Sequence, residues 1–561
     1  MVAWWARRRR VGALGLGPLL LALLIAGASL AQPGATVTVD SAAALLQALD
    51  HGGVVTIAPG EYDLDDTLVL RGQVDLRAEE AGTVQLNLRS APLGVSIEPG
   101  AEVRITGLRL AYDAEAPGDV LWIRDAAMTL EHVDVGFAVG GYADSAERPF
   151  GHGSGLVASG AADVRVVGGG FGRHEGFAIE VRDASTVHLD DVVVVRNVGG
   201  IHIDGEASLT MVGGELRQHV ASALEVRGRA SVSLEATYIE ESGSLGGLDV
   251  DAVRVGGDAE AEFRRVVFAH NPRFALSLHD RASVRSYGGL FEHNGANTDE
   301  VLVSAVWVGD GAALALHGDH LRDHAGGAVD VVGAASVLLE GVTIERTGTW
   351  AHVYAVERAT VRVVGGTFTA NEGGLYVGDA ASAELDDVVM IGDGGDGDAL
   401  LADGFAVIEV RGGRIEHHGG FGLYLLGSAR ASVDGTTVRG NRSGLVAAEF
   451  STLQVHGVVV LAQERSGVGF LDAATGEVSG STFDDNGWAG VVIAGEAVAE
   501  VTDNLFEGNA NRAAWFDEAA SGSFGGNTVR GSSVGLEIAR DASVAVGENV
   551  FEDVGEAVVR D

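Results

Sequence analysis

Gly535-Leu-Glu-Ile538, Ala542-Ser-Val-Ala-Val546 and Asn549-Val-Phe-Glu552 follow one another near the end of a 561-residue chain. Each piece alternates apolar with polar side chains for a few positions, and Gly, Asp or Asn punctuates the gaps. That is the chemistry of short strands ended by turns. The triplet recurs upstream: Ala359-Thr-Val-Arg-Val363, Gly366-Thr-Phe-Thr369 and Gly374-Leu-Tyr-Val377 are copies of its pieces. From Ser154 onward about seventeen such units succeed one another with a period near 24 residues. Three strands per unit, each pairing in parallel with its counterpart in the next unit, close one turn of a parallel β-helix. Phe171, Phe268, Phe291, Phe368, Phe483, Phe506 and Phe551 all fall at the inward position of the third strand, so seven of 18 Phe are expected in one internal column. With strands about 4.8 Å apart, roughly 20 coils predict a rod about 95 Å long. A propeller needs four strands in a repeat of about 40–50 residues, and a leucine-rich repeat needs Leu-x-x-Leu-x-Leu; the units fit neither.

Ahead of the repeats, Ser41–Asp50 reads as a short Ala- and Leu-rich helix stopped by Gly52-Gly53, placed to cap the first open turn. Val54-Val-Thr-Ile-Ala-Pro-Gly-Glu-Tyr62 then resembles the first-coil signature of right-handed β-helix proteins of the pectate-lyase-like superfamily. The repeats resemble the same superfamily, over roughly residues 36–561. The hand is implied by that resemblance and by the general hand of parallel crossovers. The predicted fold is all-β: a single-stranded right-handed parallel β-helix, a solenoid of about 20 coils, with a short N-terminal cap helix. Residues 1–31 read as a signal peptide, 32–53 as the cap region, and 54–561 as the β-helix, regular from about residue 154. The leader reading rests on basic Arg7–Arg10, the apolar run Val11–Gly27, and small Ser29 and Ala31 before Gln32. An uncleaved membrane anchor is the competing reading. Both imply export, to an extracellular, cell-surface or periplasmic location.

The chain has 38 Arg, no Lys and no Cys, against 79 Asp plus Glu. Removal of a leader carrying four Arg takes the net charge from −41 to −45. Such an excess argues against a nucleic-acid partner, whose phosphates need clustered cations, and against an anionic membrane surface once the signal is removed. Catalytic Lys, thiol nucleophiles, thiolate metal sites and disulfides are all excluded.

Seventeen His invite a metal or general-base role. However, His174, His219, His324 and His418 fall at the third position after the inward third-strand residue, a register read as also holding Val198, Ser242, Asn271, Asn294, Asn371, Asn441, Glu464 and Asn486. Asn and His tolerate left-handed backbone, so this position is expected to be left-handed and its histidines to be scaffold. Asp393, Asp396 and Asp398 either surround a Ca²⁺ ion or form ordinary turns; no other cofactor is called for. Gly151-His152-Gly153 and Asn297-Thr298-Asp299 each resemble a short motif of the polygalacturonase-like glycosidases on this fold. Their order is reversed here and that family's Arg-Ile-Lys cannot exist, so its residue roles do not transfer.

The resemblance implies glycan binding along the outside of the first strand, beneath long turns that precede it. The outward column there reads Trp122, Val157, Ala178, His202, Glu225, Arg254, Ser277, Trp307, Asp330, Tyr354, Tyr376, Leu401, Tyr424, Val446, Gly469, Val492, Trp515 and Glu537. Six of the thirteen Trp and Tyr beyond the leader lie in it. Either high strand propensity explains the aromatics, or they are flat surfaces on which sugar rings stack. Glu225, Asp251 and Asp299 are the carboxyl candidates for hydrolysis. His202 and Arg254 are candidates for base and charge clamp in a lyase. Trp307, Tyr354, Tyr376, Tyr424, Arg227, Asp330 and His279 are the candidates for substrate contact. Glu225 with Arg254 as a solvated ion pair is the bland alternative. The functional expectation therefore has two branches. One is an exported protein that binds, and in one version cleaves, polysaccharide along this face as a Lys-free lyase or glycoside hydrolase. The other is a non-catalytic envelope or surface repeat protein that self-associates end to end.

Overall fold

A computed structural model of the chain describes residues 36–138, 153–243, 250–295, 303–348, 351–371 and 373–560. It is an all-β solenoid. First strands pair in parallel through 21 turns, from Leu68–Leu70 to Glu556–Arg560. Second and third strands make parallel ladders of their own, fused where Ala127–Gly136 and Asp163–Gly172 each run for 10 residues through the usual corner. At about 4.8 Å per step the stack is about 100 Å long.

The core is the stack of inward side chains. All seven phenylalanines occupy one register: Val135, Phe171 and Val194 are successive partners, as are Ile239, Phe268, Phe291 and Leu321, and then Val529 and Phe551. The Phe268 and Phe291 rings stack at 4.4 Å and 10°, and Phe483 and Phe506 at 4.9 Å and 13°. At the N-terminal end, Thr36–Val39 pairs with Gly53–Ile57, and the helix Ala42–Leu49 lies between them in sequence. The Ser41 hydroxyl accepts from the Ala44 N–H at 3.4 Å, and Leu45 is fully buried. The leader over residues 1–31 lies outside the described residues. Among the described residues, no helix is long and apolar enough to cross a membrane.

The polar ladder after the third strand differs from its sequence reading in two ways. The left-handed residue is the one before the ladder: Arg173, Arg196, His270, His293 and His417 have φ between 53° and 64°, whereas His174, Asn271, Asn294 and His418 do not have positive φ. The ladder also runs through Asn197 and Gln463 rather than Val198 and Glu464. The Asn197 side-chain oxygen accepts from the His174 N–H at 2.9 Å while its amide donates to the Phe171 carbonyl at 3.2 Å. Gln463 accepts from Asn441 N–H at 3.0 Å and donates to the Val438 carbonyl at 2.8 Å. Asn197 and Gln463 thus each satisfy two backbone groups of the previous turn that the bend would otherwise orphan. Histidine substitutes in the same place: Ala138 N–H donates to His174 Nδ1 at 3.3 Å, and Nε2 reaches the Val135 carbonyl at 3.1 Å. Burial pushes His174 and His324 down to about 3, and His219 and His418 to about 4. All four are neutral parts of the wall.

A second ladder, before the third strand, runs through Asn504, Asn527 and Asn549, each accepting from the preceding turn. Asp319 stands in the equivalent place three hundred-odd residues into the chain, buried, accepting from Ser286 Oγ at 2.6 Å and Gly289 N–H at 2.7 Å. Among the described residues its other oxygen has no hydrogen-bond partner, and burial raises its pKa. Asn504 instead turns an amide toward the Val478 carbonyl at 2.9 Å. With a folded-state pKa above the unfolded one, Asp319 costs stability as pH rises through that interval. Asp319→Asn is therefore expected to stabilise the protein at neutral pH, by about 1–3 kcal/mol, and to lose that advantage in acid. Thermal melts of both proteins across pH 4–8 check it.

Candidate functional site

Strand pairing makes the first-strand column explicit. Val157, Glu180, His202, Glu225, Arg254, Ser277, Trp307, Asp330, Tyr354, Tyr376, Leu401 and Tyr424 are successive partners. Trp515 and Glu537 continue the same register further on. Ala178 is not in the column; it is fully buried, and Glu180, two residues later, takes its place.

One end of the face is ionic. Glu180 is buried against the Ser154 hydroxyl and the Arg182 guanidinium. His202 packs its ring 5.1 Å from that of Phe177 and sets Nδ1 3.4 Å from Glu225 Oε2. Arg227 donates to the other Glu225 oxygen. Burial would raise the Glu225 pKa, but His202 and Arg227 outweigh it and hold the carboxyl below its ordinary range. The alternative of a solvated Glu225–Arg254 ion pair is not what forms: Arg254 is exposed, and Glu225 pairs with His202 and Arg227. The Arg254 charge acts on His279, whose pKa burial lowers first and Arg254 second. Asp251 sits in the turn entering the next strand and faces Arg273 at 3.6 Å. Asp299 lies outside the described residues. Glu180, His202 and Glu225 are thus the gathered polar cluster.

The other end is aromatic. The His279 and Trp307 rings lie 4.6 Å apart, and Tyr354 and Tyr376 stack at 5.0 Å and 16°. Between Trp307 and Tyr354 stands Asp330, which accepts from Ser304 Oγ at 2.7 Å. Burial raises its pKa to about 6 despite that bond. Burial, followed by the Asp330 charge, raises the Tyr354 hydroxyl. Next to Tyr376 a pocket of about 230 Å³ is lined by Leu401, Asp396 and Asp398. Asp398 accepts from the Phe421 N–H at 2.6 Å, and Asp393 from the Gly395 N–H at 2.8 Å. Asp393 and Asp398 therefore serve as turn-forming acceptors. Among the described residues no three His, Asp or Glu converge as a metal-holding group. Tyr424 stands a further turn on from Leu401, its ring 4.5 Å from that of Phe421. A separate aromatic group lies further along: Trp488 and Trp515 meet edge to face at 5.1 Å, with Arg512 4.4 Å over the Trp515 ring. Trp488 precedes its strand, outside the column periodicity, and escaped the sequence reading for that reason.

The spacing limits the chemistry. Asp330 is four rungs from Glu225, about 19 Å, and Glu180 is two rungs from Glu225, about 10 Å, with His202 between. Two carboxyls flanking one glycosidic bond stand about 5–10 Å apart. Glu225 and Asp330 are therefore not such a pair, and both Glu180 and Glu225 are occupied by arginine.

Residues 351–534 match the family model described as a right handed beta helix region. The fold of the described residues is a right-handed parallel β-helix. No curated protein matches it. Similar solved structures include a PL6 family alginate lyase, AlyGC, at 9% identity and a TM-score of 0.33, covering 93% of this chain and 100% of that one. Pre-mature bacteriophage phi29 gene product 12 is 11% identical with a TM-score of 0.34, covering 92% and 72%. The GH87 alpha-1,3-glucanase from Streptomyces thermodiastaticus strain HF3-3 is 12% identical with a TM-score of 0.21, covering 77% and 70%. All three superpose loosely.

Proposed function

We propose that this protein binds an extended polysaccharide along its first-strand face, with sugar rings lying on Trp307, Tyr354, Tyr376 and Tyr424. The observation that carries the reading is the run of partly buried aromatic rings in one parallel register, interrupted by Asp330 and Leu401 and bordered by the pocket beside Tyr376. Successive rungs lie about 4.8 Å apart, a step comparable to one sugar residue in an extended chain. Rings held in place on a rigid sheet offer apolar surface at little entropic cost. A neutral glycan suits the surrounding acidity better than a polyanionic one. Binding is the function the geometry supports best, because among the described residues Glu225 and Asp330 stand too far apart for a hydrolytic pair and Glu180 and Glu225 are both engaged by arginine. The reading also includes export to the cell exterior or envelope, and no requirement for Ca²⁺.

Affinity electrophoresis of the full chain against a panel of neutral and uronic polysaccharides, with and without EDTA, tests this. Retention by a neutral glycan, unaffected by EDTA, is expected; no retention by any member of the panel would overturn it. Asp330 adds a pH signature. Below about pH 6 its carboxyl is neutral and donates a hydrogen bond; above, it is a carboxylate that must be desolvated when a ring covers it. Affinity is expected to rise several-fold between pH 7.5 and 5, and Asp330→Asn to flatten that profile near its acid limit. Binding measured by titration calorimetry at several pH values reads both.

A further inference from the structure

On the third-strand wall, away from the aromatic face, lies a concavity of about 570 Å³. Its floor consists of missing side chains. In the outward row that pairs Ala111, Gly136, Gly172, Val195 and Arg217, three successive positions carry no more than a methyl. The parallel row pairs Arg109, Asp134, Gly170, Val193 and Glu215, again with a glycine at the centre. Elsewhere on this wall, among the described residues, the outward third-strand positions carry side chains larger than a methyl except at Ala269, so the run of glycines belongs to these turns. The ten-residue strands Ala127–Gly136 and Asp163–Gly172, which run unbroken through the usual corner, form its bottom.

The rim is cationic. Phe137, Arg173 and Arg196 occupy the left-handed position of successive turns, with φ of 68°, 64° and 56°. That conformation lifts their side chains along one edge, and the Arg173 guanidinium lies 5.3 Å over the exposed Phe137 ring. Arg109 and Arg217 stand at the two ends of the rows. Arg217 is engaged by Glu215 at 2.7 Å and Arg196 donates to Gln218 at 2.9 Å. Among the described residues, Arg109 and Arg173 have no carboxylate partner, in a chain with twice as many acids as arginines. Asp134 is the one carboxylate among the described residues of the lining.

We propose that this concavity is a binding site for a small organic anion: a carboxylate borne on a six-membered ring, the ring lying on the glycine floor against Val193, Val195 and Phe137, and the carboxylate held by Arg173 and Arg196 with Arg109 nearby. Guanidinium groups match carboxylate oxygens in a planar, bidentate manner, and a shallow apolar floor selects for a ring over a bare ion. The site is independent of the glycan-binding face. A sugar acid and an aromatic acid share the required chemistry.

Titration calorimetry of the full chain with galacturonate and with benzoate distinguishes the two sources, with galactose and benzyl alcohol as uncharged counterparts and sulfate as a ringless anion. Saturable binding of at least one carboxylate is expected, with its uncharged counterpart and sulfate weaker by about tenfold or more. The double variant Arg173→Gln/Arg196→Gln should lose at least about tenfold in affinity. Glutamine already fills the same left-handed position at Gln218, so the backbone tolerates the change. Gly172→Leu, which fills the floor, should abolish binding, with circular dichroism confirming the coil. Tyr354→Ala/Tyr376→Ala should leave it unchanged. Carboxylates binding no better than their uncharged counterparts, sulfate binding as tightly, undiminished binding to the arginine double variant, or no saturable binding by either acid would each overturn the assignment.

Discussion

Phe291→Ala is expected to cost about 3–5 kcal/mol of local stability, the largest loss from any single truncation in the wall. Phe291 is fully buried, stacked on Phe268 at 4.4 Å and followed in its register by Leu321. Removing the ring opens a cavity that a parallel ladder cannot close, because strands held about 4.8 Å apart by backbone bonds do not collapse inward. A solenoid turn contacts only its neighbours, so the loss is local rather than global. Hydrogen exchange should accelerate first in the third strands Val267–Ala269, Leu290–Glu292 and His320–Arg322, while Leu505–Glu507, around the second Phe stack, stays protected. Phe291→Leu makes the register resemble the Leu321 rung and should cost markedly less. Uniform exchange in the alanine variant would mean that the column does not hold the wall.

That column was legible in the sequence because its chemistry repeats and its position is inward in every turn. The errors fall where parity gives no guide. Ala178 and Glu180 are two residues apart on one strand, and side chains alternate with period two, so a two-residue slip preserves the apparent in-and-out pattern. Only the pairing of Val157 with Glu180 exposes it. Glu180 is consequently the cluster member that sequence reading missed, its signal confined to a buried carboxylate two residues before Arg182. In the turn after the third strand there is no alternation at all, and Val198 was taken for Asn197. The sequence also cannot show which arginine an acid chooses: Glu225 has Arg254 on the next rung but engages Arg227 just past the end of its own strand, since a residue two positions along lies on the same side of the sheet. Asp330 was legible as an outward acid, but its raised pKa depends on Trp307 and Tyr354 flanking it, a tertiary fact.

The aromatic run predicts the second large effect. Tyr354→Ala and Tyr376→Ala should each weaken glycan binding by about tenfold or more, and the double variant should abolish retention. The two rings are stacked at 5.0 Å, so each fixes the plane of the other and truncating one also loosens its neighbour. Their losses should therefore overlap rather than add. Phe variants at both positions keep the flat surface and remove only the hydroxyls, whose pKa burial has raised; they should retain most of the affinity if ring stacking is the source of binding. Tyr238→Ala, an exposed tyrosine on a third strand, serves as the control for a generic surface aromatic and should change nothing. Unchanged retention in the Tyr354→Ala/Tyr376→Ala double variant, with the coil intact by circular dichroism, would remove the aromatic face from any role in glycan recognition. Loss in the alanine variants but full retention in the phenylalanine variants would tie binding to the apolar faces rather than to the hydroxyls.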